Sequence, residues 1–371
     1  MHSIQEKVYV VYIFWLLIFI FSTSIHYNFE QIVLINQLDS VSYMSIAIFS
    51  PDYSSENLPY HHAQRFFVPY LIGFVSNTLG ISPIIIFRLF TYLIVFLIIF
   101  IHFLIIKKLK TNFYLSIFSI SFLILNPYLI RYFIAVPTMI NDAVFILSLY
   151  LFSIGLIFNY KSTLVGVIFA LISRQNGIFV FVAYFVNNLI SKRYKIFKDT
   201  STVLSIILFI FISLLSNNYA NNVSETNFNF RHVYGLFEWI VTSFELIKLV
   251  KWILLPLYSY LPLLIISSFF FKFKKLDKIY NKNFFILIFI FISIICIPFL
   301  SGPDLASRNI IRLTSLAYPI ILIIGLCYVS VKKKLLNNIL FIFIILILHI
   351  WSLHPKYSII TIHEIFRNYL I

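Results

Sequence analysis

The sequence predicts an all-α protein that forms a polytopic transmembrane helical bundle. Hydrophobic residues make up 61% of the chain and charged residues 11%, and the mean hydropathy is +0.97. These values lie outside the range of soluble domains. Nearly uncharged stretches of 17 or more residues recur along the chain, and a helix of that length crosses a hydrocarbon core about 30 Å thick. We therefore expect residues 1–371 to form a single integral-membrane domain.

Basic residues predict the orientation of this bundle. Lysines are concentrated in four short segments between apolar stretches, which are KKLK (107–110), SKRYKIFK (191–198), KFKKLDK (272–278) and KKK (332–334). The positive-inside rule places all four segments in the cytoplasm, together with the N-terminus. Because the formal charge of +15 arises largely from these loops, it indicates a membrane topology and not a nucleic-acid partner.

About nine full spans alternate consistently with that orientation, and they put the C-terminus outside. They are expected at 8–25, 83–106, 112–130, 141–158, 201–216, 250–271, 284–300, 313–330 and 337–354. The two cysteines, Cys296 and Cys327, both fall within predicted spans and indicate neither a disulfide framework nor a zinc site. Residues 66–80 must begin and end on the outer side, and we expect them to form an outer juxtamembrane helix.

Residues 163–190 lie between two cytoplasmic loops and are too short for two ordinary spans. About 12 residues on each side of SRQNG would extend roughly 18 Å as helix. We therefore expect a short re-entrant hairpin with Arg174 and Gln175 near its tip. The alternative is one long tilted helix, which would leave two of the lysine clusters outside.

Two long segments are expected on the outer surface, namely a first loop at 26–82 that carries interfacial helices and a second loop at 217–249. In the first loop, Ser40–Phe49 is expected to form a helix with one face towards lipid and one towards protein or water. The lipid face would carry Leu38, Val41, Met44 and Ile48, and the other face Asp39, Ser42 and Tyr43.

Lysine and arginine separate between the two sides of this topology. Sixteen of the 19 lysines fall in cytoplasmic segments, whereas eight of the nine arginines and ten of the 13 carboxylates fall outside or near the outer interface. A guanidinium group presents a planar fork that binds phosphate in bidentate fashion. Arginines that converge on one face therefore indicate an anion-binding site there, although any single interfacial arginine can instead reach lipid headgroups.

Asp39 is the leading candidate for acid–base chemistry. It follows an apolar stretch in INQLDSVSYMS, where a reachable and partly desolvated carboxylate can act as a general base on a hydroxyl. An equally good interpretation is that Asp39 caps the helix that follows it. Asp142 has a similar pair of interpretations, because it begins a predicted span and can also orient Arg131 or contact a sugar.

The adjacent histidines His61 and His62 precede Arg65 in the same loop. Adjacent histidines rarely bind one ion, so we expect no metal site, no divalent metal and no other cofactor. We expect one of them to hydrogen-bond a phosphate or sugar oxygen. The sequence contains no Gly-rich phosphate loop and no GxSxG or HExxH motif, which argues against an ATP-driven pump and favours an activated lipid as the source of energy.

These features together resemble the GT-C superfamily of integral-membrane glycosyltransferases, which use polyprenyl-phosphate-linked sugars on the extracytoplasmic side. The resemblance covers residues 1–190 and rests on single residues at loose spacing. It is carried by QLDSVSYMS with Asp39, YHHAQRFFVPYLIGFVSNTLGIS, IIIFRLFTYLIVFLIIFIHFLIIKKLK, Pro127, Arg131, Asn141, Asp142 and GVIFALISRQNGIFVF. A single acid at position 39, in place of an adjacent acidic pair, disfavours the metal-dependent branch.

The resemblance implies an inverting hexosyl- or pentosyltransferase. The donor would be a polyprenyl-phosphate-linked sugar, and Asp39 would take a proton from the hydroxyl of a glycan, lipid or protein acceptor that attacks the anomeric carbon. Some of five arginines would hold the donor phosphate, namely Arg65, Arg131, Arg174, Arg308 and Arg312. The residues expected to contact substrate are Tyr43, His61, His62, Asp142 and Gln175.

Two other classes of function stay open. A polymerase or ligase of lipid-linked glycans, or an acyltransferase, would use the same outer anionic site. A flippase or transporter of lipid-linked glycans is the alternative without an enzymatic activity, but that class usually has repeated halves and polar or broken helices at mid-membrane. The Ile/Phe/Asn/Lys-rich composition favours a bacterial plasma membrane, and the resemblance implies a role in cell-envelope glycan biosynthesis.

Overall fold

The computed structural model describes residues 2–34, 38–192, 199–225, 231–273, 282–303, 309–331, 338–353 and 357–359. Within these ranges the chain is almost entirely helical, which confirms the predicted all-α class. The first helices in chain order are α1 (His2–Thr23), α2 (Phe29–Leu34), α3 (Leu38–Phe49), α4 (Tyr60–Ala63), α5 (Phe67–Leu79), α6 (Pro83–Leu109), α7 (Phe113–Leu125), α8 (Ile130–Ala135), a 3-10 turn (Pro137–Met139), α9 (Ile140–Phe158), α10 (Ser162–Ser173) and α11 (Gly177–Lys192).

The second half contains longer apolar helices and one small sheet. Its elements are α12 (Thr200–Val223), α13 (Arg231–Thr242), α14 (Leu246–Leu254), α15 (Leu257–Phe270), β1 (Phe271–Phe273), α16 (Lys282–Leu300), α17 (Asn309–Ser315), α18 (Tyr318–Tyr328), β2 (Val329–Val331) and α19 (Asn338–Ser352).

Seven helical segments of the described chain are long and apolar enough to cross a membrane. They are Glu6–Thr23, Pro83–Leu109, Phe113–Ala135, Pro137–Phe158, Thr200–Val223, Lys282–Leu300 and Asn309–Tyr328. The pair α14–α15, bent by 56°, gives an eighth if it is counted as one span. Each of these segments overlaps a predicted span, and the remaining predicted span at 337–354 corresponds to α19, which has 15 residues. The protein is therefore a polytopic helical membrane protein by the length and composition of its helices.

One end of the bundle gathers lysine side chains from distant parts of the chain, and we call it the lysine end. Lys107 Nζ lies 2.6 Å from Glu6 Oε1 of α1, and Lys282 Nζ donates to Ser191 Oγ at 2.5 Å. Lys108 donates to the hydroxyl of Tyr160, which follows α9. The start of α1, the end of α6, the end of α11 and the start of α16 thus meet here.

The two-stranded sheet joins two further lysine-bearing segments. β1 and β2 pair antiparallel with Lys272 opposite Ser330, so the chain entering KFKKLDK lies beside the chain entering KKK. The Phe271 ring packs edge-on against Phe118 in the first half of α7, with ring centroids 5.8 Å apart. The pairing agrees with the prediction that these segments lie on the same side.

The first loop folds over the opposite end of the bundle. Leu58 N donates to the Val223 carbonyl at the end of α12 at 3.0 Å, and the Phe66 ring stacks on Tyr219 of α12 at 4.3 Å. Helix α3 lies so close to α5 that a Cβ at Gly73 would overlap the Ala47 carbonyl. This packing holds α3, α4 and α5 as one layer at that end.

Two expectations about this end differ from the structure. Helix α3 packs on more than one side, so Met44 is buried where a lipid-facing position was expected, while Ile48 is exposed. The segment 217–249, expected to be a loop, is largely helical within the described residues, because α12 continues to Val223 and α13 and α14 follow. A helix is present within 66–80, as α5, and its juxtamembrane position stays a prediction.

The centre of the bundle is formed by α6, α7 and α9, and it contains a polar network around His102. His102 of α6 is fully buried, and its Nδ1 lies 3.0 Å from the Tyr150 hydroxyl of α9. Its Nε2 lies 2.9 Å from Ser119 Oγ of α7. Both ring nitrogens therefore have partners on neighbouring helices, as a buried polar group requires.

Candidate functional site

Asp39 lies in the first turn of α3, at the end of the bundle opposite the lysine end, and its carboxylate is held by two basic side chains. His62 Nε2 of α4 lies 3.0 Å from Asp39 Oδ1. Arg312 Nη2 of α17 donates to Asp39 Oδ2 at 2.9 Å. The carboxylate thus contacts side chains from two other elements, α4 and α17.

Arg312 connects Asp39 to a second carboxylate. Its Nε lies 3.9 Å from Asp142 Oδ2, in the first turn of α9. Its Nη1 donates to the Tyr132 hydroxyl of α8 at 3.0 Å. One guanidinium group therefore ties α17 to α3, α8 and α9, and its planar array of donors suits this bridging role.

Asp142 forms its closest ion pair with Arg174. Arg174 follows α10, and its Nη1 donates to Asp142 Oδ1. Both side chains are almost fully buried, with 4% and 2% of their surfaces exposed. The residues between α10 and α11 thus carry a basic side chain into the bundle beside α9, as expected for the tip of this helical hairpin.

Arg65 is the third guanidinium group at this site, and its partners are neutral. Its Nε donates to Gln175 Oε1 at 2.7 Å, and its Nη1 donates to the Tyr43 hydroxyl at 3.1 Å. Gln175 also donates to the His61 carbonyl at 2.7 Å. Among the described residues, Arg65 contacts no carboxylate.

We call Asp39, Asp142, Arg65, Arg174 and Arg312 the acid–arginine cluster. Within the described part of the chain, these three guanidinium groups and two carboxylates leave one surplus positive charge, and Arg65 is the member that no described carboxylate contacts. The Asp39 side chain keeps 18% of its surface exposed, so the cluster is reachable at Asp39 and closed around Asp142. A partly desolvated site with surplus positive charge is suited to an anionic ligand.

His62 contacts Asp39 from the buried side of the carboxylate. Only 5% of its side chain is exposed, and its Nδ1 lies 3.0 Å from Ser42 Oγ on the next turn of α3. Both ring nitrogens are thus occupied, by Asp39 and Ser42. These two contacts fix the orientation of the His62 ring, and the contact of one of the two histidines with a phosphate or sugar oxygen stays a prediction. His61, beside it, is half-buried, with the two rings 4.1 Å apart.

The cluster alters the ionisation of its members that lie outside the candidate spans. Burial alone would raise the pKa of Asp39, but Arg312 and the hydrogen bond from His62 outweigh it and hold this pKa well below 3.8. Burial raises the pKa of Tyr43, so the phenol keeps its proton while its oxygen accepts from Arg65. Asp39 is therefore a firmly ionised carboxylate at neutral pH.

Two predicted phosphate ligands are not part of this cluster. Arg131 is fully buried and donates to Ser24 Oγ at 3.2 Å and to Ser352 Oγ at 2.9 Å, which ties α8 to the end of α1 and to α19. Arg308 lies outside the described residues. The remaining predicted residues, Tyr43, His61, His62, Asp142 and Gln175, all lie in or directly beside the cluster.

Tyr132 is the contact residue that sequence reasoning missed. It is one of 24 tyrosines, and its neighbour Arg131 carried the stronger signal. Asn141 is one of the residues that carry the resemblance, but its contact was not predicted: its Nδ2 donates to the Arg65 carbonyl at 3.1 Å. Tyr132 lies between two predicted spans and Asn141 begins the predicted span at 141–158, and nothing in their spacing indicates these partners.

A separate cavity of about 330 Å³ lies at the lysine end. Tyr9, Phe103, Lys107, Lys110 and Phe113 are among its lining residues. Among the described residues, no group of three His, Cys, Asp or Glu side chains is arranged to hold a metal ion.

No protein-family model, no curated protein and no solved structure matches this chain. Its class is therefore defined by the fold and the site alone. It is a polytopic helical membrane protein with a buried acid–arginine cluster at one end of the bundle.

Proposed function

We propose that this protein is an integral-membrane glycosyltransferase that moves a sugar from a polyprenyl-phosphate donor to an acceptor hydroxyl on the extracytoplasmic face. One observation carries the proposal: an ionised carboxylate, Asp39, lies in a partly desolvated cluster that has one surplus positive charge. That combination provides a proton acceptor beside a binding site for phosphate.

The donor phosphate is expected to lie between Arg65 and Arg312. Arg65 has neutral partners, so it gains the most from a bound anion. Arg312 is shared between two acids at 2.9 Å and 3.9 Å and can exchange one of them for phosphate. Arg174 is paired with Asp142, so it would add positive charge near the phosphate without contacting it. The O–H of Tyr43 can donate to the same ligand.

The reaction is a single displacement with inversion. The acceptor oxygen forms a bond to the anomeric carbon while the bond from that carbon to the phosphate oxygen breaks, and polyprenyl phosphate leaves with the electron pair. The acceptor proton passes to Asp39. Because negative charge grows on the departing phosphate, the guanidinium groups stabilise the transition state more than the ground state.

Binding of the donor would also strengthen the base. In the unliganded site, Arg312 and His62 hold the pKa of Asp39 well below 3.8, which makes the carboxylate a weak proton acceptor. A phosphate that takes over Arg312 would remove part of that stabilisation and raise the pKa. The carboxylate would thus become more basic when the leaving group is in place.

The membrane topology in this proposal has nine crossings, a cytoplasmic N-terminus and an extracytoplasmic C-terminus, in a bacterial plasma membrane. The hairpin α10–α11 enters and leaves on the cytoplasmic side, with Arg174 at its tip. Support comes from α9, whose 19 residues extend about 28 Å between Asp142 in the cluster and Tyr160 at the lysine end. The positive-inside rule assigns the lysine end to the cytoplasm.

The test uses purified protein in vesicles with a panel of polyprenyl-phosphate hexoses and pentoses radiolabelled in the sugar. Wild-type protein should release polyprenyl phosphate and transfer label to a water-soluble or lipid acceptor, and Asp39→Asn should lower turnover by about 10²-fold or more. Asp52→Asn is the matched control, because Asp52 is exposed in the same loop and lies outside the cluster.

The alternatives give different results in the same assay. Movement of intact labelled donor across the bilayer, without release of the sugar, would indicate a flippase or transporter. Transfer of a whole glycan chain would indicate a polymerase or ligase, and transfer from an acyl donor an acyltransferase. Equal turnover by wild type and Asp39→Asn would remove the assignment of Asp39 as the base.

A further inference from the structure

Helices α13 and α14 carry large apolar side chains that no described part of the protein covers. Val241 is 84% exposed and Ile247 is 71% exposed. The exposed apolar residues of the two helices are Tyr234, Phe237, Ile240, Val241, Leu246, Ile247, Val250, Ile253 and Leu254. Contiguous apolar surface of this kind marks a site of interaction.

Each helix packs on the protein through the opposite face. Trp239 of α13 is buried, and Gly235 lies so close to Gly302 that a Cβ at Gly302 would crowd its backbone. Trp252 of α14 is also buried and packs against Phe299 and Ile310. Helical geometry turns Leu246, Val250 and Ile253 away from Trp252, so the exposed apolar faces point out of the bundle.

Neither helix is long enough to cross a bilayer by itself. Their 12 and 9 residues extend about 18 Å and 14 Å, against a hydrocarbon core of about 30 Å. Helix α14 meets α15 at an angle of 56°, and α15 is itself apolar and exposed along Leu264 and Phe269. The apolar surface thus continues from α15 onto a pair of helices turned away from its axis.

Charged side chains lie on α14 and at the turn before it. Lys248 Nζ lies 3.4 Å from Glu245 Oε1, and Lys251 is exposed one turn further on. Lys248 and Lys251 are also two of the three lysines that do not fall in the predicted cytoplasmic segments. An apolar face next to exposed lysines is typical of helices that lie in the membrane interface and attract anionic lipids.

We propose that α13 and α14 lie in the plane of the bilayer, in the leaflet at the acid–arginine cluster. Their apolar faces lie among phospholipid acyl chains, and Lys248 and Lys251 bind the phosphates of anionic phospholipids. Because Trp252 packs on Ile310, two residues before Arg312, this lipid-bound surface adjoins the helix that carries Arg312. The proposal is independent of the reaction that the cluster performs.

The first test uses the unaltered protein in phosphatidylcholine/phosphatidylglycerol vesicles and a photoactivated carbene reagent that partitions into acyl chains. Peptide mapping by mass spectrometry should find label on 240–250, at a level comparable to α15, which serves as the internal positive control. The exposed polar loop at 51–57 should stay unlabelled. Label on α15 with none on α13 or α14 would overturn the proposal. It would mean that water or a second copy of the chain, and not lipid, covers α13 and α14.

The second test examines the headgroup. The double variant Lys248→Gln/Lys251→Gln should lower the labelling of α13–α14 relative to α15 by about twofold or more in phosphatidylglycerol vesicles, with no change in pure phosphatidylcholine. Lys7→Gln/Lys161→Gln removes the same charge from exposed positions at the other end and should leave the ratio unchanged. An equal ratio in wild type and Lys248→Gln/Lys251→Gln would refute binding of lipid phosphate by these lysines.

Discussion

Arg312 Nη2 donates to Asp39 Oδ2 at 2.9 Å across 273 positions of sequence. This contact joins the first loop to the last third of the chain, and it holds the proposed base beside a proposed phosphate ligand. The same guanidinium group reaches Asp142 and Tyr132, so its loss would disconnect four elements at once.

We predict that Arg312→Gln lowers the free energy of unfolding by about 3 kcal/mol, because it leaves a partly buried carboxylate without its cation. Asp39→Asn should cost less, and the double variant should cost clearly less than the sum of the two single changes. Thermal unfolding of all four proteins in one detergent measures this coupling. Strictly additive losses would show that the contact does not contribute in solution.

Substitutions at Arg65 and Arg131 should have different effects, the first on ligand binding and the second on stability. Arg65→Gln removes the surplus charge of the cluster, and we expect it to weaken binding of a polyprenyl phosphate by about tenfold or more. The affinity of Arg65→Lys should fall between those of wild type and Arg65→Gln, because lysine keeps the positive charge but lacks the planar fork of the guanidinium group. Equilibrium binding of a fluorescent polyprenyl phosphate is the measurement.

Arg131→Gln is the matched control for that experiment. Its guanidinium group contacts Ser24, directly after α1, and Ser352 of α19, so the change should lower thermal stability while leaving phosphate-lipid affinity within about twofold. A loss of affinity in Arg131→Gln equal to that in Arg65→Gln would place the phosphate elsewhere.

The lowered pKa of Asp39 predicts a specific dependence of stability on pH. Because this pKa is depressed below 3.8 in the folded protein, Asp39 contributes stability above the pKa of the unfolded chain and loses it as the pH falls through the folded value. The difference in melting temperature between wild type and Asp39→Asn should thus be constant from pH 7 to about pH 5 and shrink below about pH 4. A difference that persists unchanged at pH 3 would contradict the assignment.

The buried network at His102 gives a prediction away from the site. Tyr150→Phe removes the hydroxyl partner of His102 Nδ1 and should cost about 1 kcal/mol. Tyr9→Phe makes the same deletion at a buried hydroxyl that has no hydrogen-bond partner among the described residues, so it should be neutral or slightly stabilising. Equal effects of the two changes would mean that the hydrogen bond to His102 contributes nothing.

Several features of the site follow from local sequence. Asp39 and His62 are polar groups in a segment too polar for a bilayer, and Arg174 and Gln175 lie between two apolar runs that are too short to be ordinary spans. Burial of apolar surface and the exclusion of lysine from apolar segments are strong local rules. They predicted the helical class and the approximate positions of most of the long apolar helices without knowledge of any contact.

Only tertiary packing decided what each charged group does. Arg131 and Arg312 look alike in sequence, since each is a single arginine beside an apolar run. One ties serines inside the bundle and the other bridges two carboxylates. The partners of the His62 ring nitrogens, Asp39 and Ser42, likewise emerge only from the packing of α3 against α4.

The exposed faces of α13 and α14 also required the structure. In the sequence, 217–249 is a polar stretch with apolar residues among its charges, and it predicts a loop. The sequence by itself determined that the protein belongs in a lipid bilayer, that it is helical, and which of its residues are charged. The tertiary structure decided which charges meet, because an ion pair depends on distances between atoms that the chain brings together only by packing.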